Sequence, residues 1–129
     1  MIHEVDAAYI AGLFDGEGSI YYKLTRRTRH DRPGKPIHNT WVIRMEIAMT
    51  DRSVLIWLHE TLGVGTLGPR KVKKGYKPQW RWRCSYRDAY HVCKLIWPFS
   101  HTKLDKVQQI IEHYSINRDN VISLDSYRK

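Results

Sequence analysis

Apolar positions along this chain change period several times, and each change marks an element. Val5, Ala8, Tyr9, Gly12 and Leu13 recur three and four residues apart, which predicts a helix over residues 3–14, or about 4–17 with its closing glycines, Gly16 and Gly18. From Ser19 to about Arg29 the β-branched and aromatic residues Ile20, Tyr21, Tyr22 and Thr25 predict a strand. Asp31-Arg32-Pro33-Gly34-Lys35-Pro36 is a turn signal. Between His38 and Met49, Trp41, Ile43, Met45 and Ile47 alternate with Thr40, Val42, Arg44 and Glu46, so one face of this second strand is buried and the other open. Thr50 or Asp51 caps a helix whose apolar face is Val54, Leu55, Leu58 and Leu62, and Gly63 stops it. A second strand pair is expected over Val64–Lys74 and Lys77–Tyr86, turning at Lys74-Gly75-Tyr76. Its phase is open by one residue: either Arg81 and Arg83 or Trp80 and Trp82 face outward. Helices follow over Asp88–Trp97, where Pro98 stops the turn, and over Thr102–Tyr114. The tail from Asn117 is either a short last helix or a frayed end.

The order α-ββ-α-ββ-α-α favours an antiparallel sheet with helices on one face, an α+β architecture. With 129 residues, 42% of them hydrophobic, the chain is expected to be one domain with a real core. No apolar run approaches the roughly 18 residues of a membrane span, and no secretory signal is visible. Cys84 and Cys93 lack zinc-type spacing and read as two buried thiols of an intracellular, reducing compartment. The seven histidines form no ligand pair, so no structural metal is expected.

Charge changes the picture more than composition does. The net charge is +9, yet residues 23–35 hold +5 and residues 70–87 hold +8, which leaves −4 for the rest. A polarised surface of this kind is the footprint of a polyanion binder. The polar faces of the predicted strands carry Tyr21, Lys23, Thr25, Arg27, Arg29, Arg44, Glu46, Arg70, Lys73, Gln79, Arg81 and Arg83. A β-ribbon fits the DNA major groove, where Arg pairs with guanine, Gln with adenine, and Glu accepts from cytosine. Arg26, Lys71, Lys74 and Lys77 are better placed for phosphates.

The segment Ile10-Ala11-Gly12-Leu13-Phe14-Asp15-Gly16-Glu17-Gly18 sets two acids among three glycines at the end of a small-residue helix. Carboxylates ligate hard divalent cations, and a face of Ala and Gly lets another backbone come close. This segment resembles the LAGLIDADG motif of homing endonucleases. Ala11-Gly12-Leu13 and Asp15 match directly, Ile10 and Phe14 stand for Leu and Ile, and Gly16-Glu17-Gly18 replaces Ala-Asp-Gly. The element order agrees over residues 4–115.

The resemblance implies an αββαββα fold whose saddle-shaped sheet sits on double-stranded DNA. It also implies an intron-encoded, sequence-specific endonuclease using Mg2+, with Ca2+ or Mn2+ able to substitute in vitro. Glu17 is then the metal ligand, with the Gly16 carbonyl beside it. Lys103, after Trp97-Pro98-Phe99, resembles the family lysine that polarises the attacking water or the phosphate. Arg52 is a candidate for stabilising phosphate charge. A chain with one motif implies a homodimer through Ala8, Ala11 and Gly12, reading a long pseudo-palindromic site. Asp15 would cap or bond across that interface. The chain departs from the family at Met49, where relatives often carry a Gln that orders a water; Glu46 or Asp51 could come close instead. The alternative is a nucleic-acid-binding protein of the same fold without strong cleavage, an RNA maturase or a DNA-binding regulator.

Overall fold

The computed structural model describes residues 2–27 and 38–117. The expected turn at 31–36, Arg29 and the tail from residue 118 lie outside the described residues. Four helices and four strands form the described part: α1 (Glu4–Glu17), β1 (Gly18–Arg27), β2 (His38–Met49), α2 (Arg52–Leu62), β3 (Thr66–Arg70), β4 (Gln79–Ser85), α3 (Arg87–Ile96) and α4 (Leu104–Asn117).

The strands make one antiparallel sheet in the order β1-β2-β4-β3. Period-two alternation sorts their side chains. Ile20, Ile43, Met45, Ile47, Trp82 and Cys84 are buried, and all lie on one face. Ile10, Ala11 and Phe14 of α1, Leu55 and Leu58 of α2, Ala89, Val92, Cys93 and Ile96 of α3, and Val107 and Ile110 of α4 join them in one cluster. Among the described residues the helices therefore cover a single face, and the other face is open. Trp82 settles the phase of β4. Its ring is fully buried edge-on to Phe14 (5.8 Å between centroids), and its Nε1 donates to the Val64 carbonyl at 3.0 Å. Arg81 and Arg83 consequently belong to the open face.

Local chemistry fixes the ends. Asp51, not Thr50, caps α2, and its carboxylate accepts from the backbone N–H groups of Ser53 and Val54. Gly63 closes α2 in the left-handed region at φ 70°. Between α1 and β1 no loop intervenes. A Cβ on Gly18 would lie 2.6 Å from Phe14 Cδ1 and 2.8 Å from its Cα, so only glycine lets the strand leave the helix there.

β3 is shorter than the expected Val64–Lys74. Pro69 cannot donate to a ladder, and pairing ends at Arg70 opposite Gln79. Residues 71–78 form an exposed turn, closed by Tyr76 N–H donating to the Lys73 carbonyl, with Gly75 at φ 96°. A 3₁₀ turn at Trp97–Phe99 follows α3, and α4 starts and ends later than the expected 102–114. Cys84 and Cys93 are free and buried. Burial, then the charge of Asp88, pushes the Cys84 thiol up to about 12, and burial, then Cys84, raises that of Cys93. Neither thiol is reactive near neutral pH.

Candidate nucleic-acid interface and metal site

The open face of the sheet is a ruled array. Register places Ser19, Glu46, Arg83 and Thr66 in one row across all four strands. Tyr21, Arg44 and Ser85 form a parallel row, as do Ala48, Arg81 and Gly68. Lys23 and Thr25 continue along β1, and Arg70 pairs with Gln79. Several of these side chains are held in place. The Arg70 Nη1 donates to Gln79 Oε1 at 2.7 Å, and the Thr25 hydroxyl donates to the Thr40 carbonyl at 2.9 Å. The Arg44 guanidinium carbon lies 4.6 Å from the centre of the Tyr21 ring. Its Nε is buried without a hydrogen-bond partner. Arg27 lies at the end of β1, where its backbone pairs with His38.

The second cluster is the C-terminal end of α1. Glu17 is its last residue and is exposed, and its carboxylate makes no hydrogen bond among the described residues. The last carbonyls of a helix lack intrahelical partners, and that end carries partial negative charge. The Gly16 carbonyl and the Glu17 carboxylate therefore make an oxygen-rich, electronegative spot of the kind a hard cation takes. One chain supplies too few ligands: among the described residues no three His, Cys, Asp or Glu side chains gather to hold an ion.

Asp15 does something else. Its two carboxylate oxygens accept from the backbone N–H groups of His101 and Lys103, both at 2.9 Å. The carboxylate caps the turn that leads into α4 and fastens the backbone of Lys103 to the last turn of α1, near Glu17. Of the two roles expected for Asp15, a cap or a bond across an interface, the structure shows an intrachain cap.

The outer side of α1 is apolar as well. Val5 and Tyr9 are 79% and 51% exposed, Ala8 and Gly12 are exposed beside them, and a Cβ at Gly12 or Gly16 would meet nothing within 4 Å. Tyr9 stands edge-on to Trp57 of α2 at 5.3 Å. Both line a groove of about 440 Å³ with Val5, Asp6, Ser53 and Val54. Ala11 does not belong to this side. It is fully buried against the chain's own core, because it lies four residues beyond Ala7 and continues the inward stripe of Ala7, Ile10 and Phe14.

No protein-family model and no curated protein sequence matches the chain. Solved structures do. The homing endonuclease I-CvuI, in complex with its target in the presence of calcium, superposes with a TM-score of 0.65 at 18% identity, over 84% of this chain and 65% of that one. The archaeal intron-encoded homing endonuclease I-Vdi141I, complexed with DNA, gives 0.64 at 18% identity over 89% and 70%. The meganuclease I-SmaMI, bound to uncleavable DNA, gives 0.64 at 16% identity over 88% and 38%. This chain has the LAGLIDADG homing endonuclease fold. It spans about two thirds of the I-CvuI chain and less than half of the I-SmaMI chain.

Within the LAGLIDADG fold, the remaining expected residues fall as follows. Lys73 is not on the sheet face. It lies in the exposed 71–78 turn with Lys71, Lys74 and Lys77, because β3 stops at Arg70. Arg52 opens α2, with its guanidinium carbon 4.5 Å from the centre of the Trp80 ring. Met49 packs against the core rather than toward the open face. Asp51 is spent on its cap, and its hydrogen bonds to the Ser53 hydroxyl and the Val54 N–H lower its carboxyl below the usual range. Ser19, Thr66 and Ser85 share rows with the predicted DNA-facing residues and carry no sequence signal of their own; only the strand register reveals them.

Proposed function

We propose that this protein is a sequence-specific DNA endonuclease that acts as a homodimer on a long, roughly palindromic duplex and requires a divalent cation, Mg2+. The observation that carries the reading is the free Glu17 carboxylate at the end of a helix whose outer side is apolar and built on needless glycines. Gly12 and Gly16 each cost a helix about 0.5–1 kcal/mol relative to alanine. Nothing among the described residues requires them, since a side chain there would be unobstructed. Close approach of a second α1 across a two-fold axis supplies the requirement. That pairing brings two Glu17 carboxylates and two Gly16 carbonyls together and so overcomes the shortage of ligands in one chain.

A cation held there supplies Lewis acidity and charge neutralisation at the scissile phosphate. The chain's own residues do the rest. Glu17 and the Gly16 carbonyl provide the ligands. Asp15 pins the turn that carries Lys103, whose ammonium group is then available to the phosphate or the attacking water. Arg52, steadied over Trp80, offers a further cation to a phosphate. The open face of the sheet enters the major groove, and the lysines of the 71–78 turn reach the backbone.

The test is cleavage of a plasmid carrying a target selected from a randomised library, with magnesium, comparing wild type with Glu17→Gln. Double-strand cutting by the wild type and its loss in the variant is the expected result. Binding without cutting by the wild type would reject the enzyme and leave a binding protein of the same fold. Met49, which packs inward where a polar side chain would order water, favours that second reading. Affinity should also fall steeply with salt as phosphate contacts release counterions.

A further inference from the structure

The open sheet face presents Lys23, Arg44, Arg70, Arg81 and Arg83, and among the described residues one acid, Glu46. A carboxylate in the middle of a surface meant for a polyanion opposes phosphate binding. An acid that merely neutralised neighbouring cations would be paired with them. Glu46 is not. Arg83 stands directly across from it and Arg44 is two residues away on the same strand, yet Glu46 forms an ion pair with neither. Its only hydrogen bond among the described residues comes from the Tyr21 hydroxyl at 3.4 Å, long for an O–H···O bond. Most of its acceptor capacity is unused, and it has no donor.

We propose that Glu46 is a specificity-determining residue that accepts from the N4 amino group of a cytosine in the major groove. The inference rests on the DNA-binding reading above. A carboxylate matches the donor that cytosine presents. It is repelled by the acceptors of guanine and thymine, and by adenine N7 beside adenine N6. Arg44 and Arg83, on either side, are of the type that takes the O6 and N7 of guanine, the partner base of that pair or a neighbour. The place in the target follows from register. Glu46 is opposite Ser19, two residues beyond Glu17, whereas Lys23 and Thr25 lie farther along β1. The cytosine belongs to the inner part of each half-site, toward the cut, and not to its outer end.

The experiment is a binding selection from a randomised duplex library, with wild type and Glu46→Gln, followed by affinity measurements on the selected duplex and on an unrelated one. Wild type should select cytosine at an inner position. Glu46→Gln should lose that preference by about tenfold and move it toward adenine, which Gln reads through N6 and N7. The same variant should bind the unrelated duplex more tightly, because a negative charge has left the face. An unchanged profile for Glu46→Gln overturns the proposal. A wild type that selects no sequence overturns the DNA-reading function itself, and this proposal with it.

Discussion

Replacing Gly12 with leucine should move stability and assembly in opposite directions. Gly12 sits in the middle of α1, exposed, with nothing within 4 Å of the position of an added Cβ. In a lone chain a leucine there lowers the entropy cost of the helix and clashes with nothing, so the monomer gains about 0.5–1 kcal/mol. In a two-fold dimer joined through α1 the leucine enters the contact twice. Overpacking costs about 1–3 kcal/mol per site, so the pair loses about 2–6 kcal/mol. The smaller figure already weakens dimerisation about 30-fold. Urea unfolding at high dilution reads the first effect, and sedimentation equilibrium across a concentration series reads the second. A leucine variant that associates as tightly as wild type, or a wild type that stays monomeric alone and on DNA, would refute the reasoning that the outer glycines exist for a second helix.

The Asp15 cap gives a second test: Asp15→Ala should destabilise the chain by about 1–2 kcal/mol and Asp15→Asn by less, since an amide oxygen still accepts one of the two N–H groups, both read by the urea midpoint at constant slope. Gly18→Ala should cost about 1–3 kcal/mol by driving a methyl into Phe14; an unchanged thermal midpoint would contradict that. Tyr86 stands at φ 54° and is 50% exposed, so Tyr86→Gly should relieve strain and stabilise by about 1 kcal/mol, measured by the same unfolding curve. His113 packs against Tyr22, with 3.1 Å between its Nδ1 and the Tyr22 hydroxyl, and burial holds its pKa below the usual value. The folded state then takes up fewer protons than the unfolded one. Stability should be full above about pH 6.5, the unfolded value, and fall as pH drops from there toward the folded value. His113→Phe should flatten that acid limb in pH-dependent unfolding.

Much of the fold is legible in local pattern. Trp41, Ile43, Met45 and Ile47 fix the buried face of β2, and an Asp followed two residues later by Ser and then by an apolar run marks the cap of α2. Strand β4 resists such reading because arginines and tryptophans alternate, and either set suits a nucleic-acid face. Only the Trp82 indole bond to Val64, eighteen residues back, decides between them. β3 is overestimated because Val72 and the lysines around it continue the alternation after the partner strand has ended. At the site, Glu17 is legible from its motif. For Asp15 a cap is legible but what it caps is not, since its partners lie 86 and 88 residues away. The aromatic contact of Tyr22, Trp41 and His113 likewise joins elements with no sequence proximity. Gly12 and Ala11 are neighbours of similar size in sequence, yet one faces out and the other lies in the core.

The central claim is that two chains meet along their motif helices and grip a divalent ion with their paired Glu17 side chains. A crystal structure of the protein on its selected duplex in calcium tests this most directly. The account predicts density for an ion between the Glu17 carboxylates of two symmetry-related chains, with DNA phosphate oxygens completing the shell. A complex in which Glu17 points away from any ion and from its counterpart would contradict it.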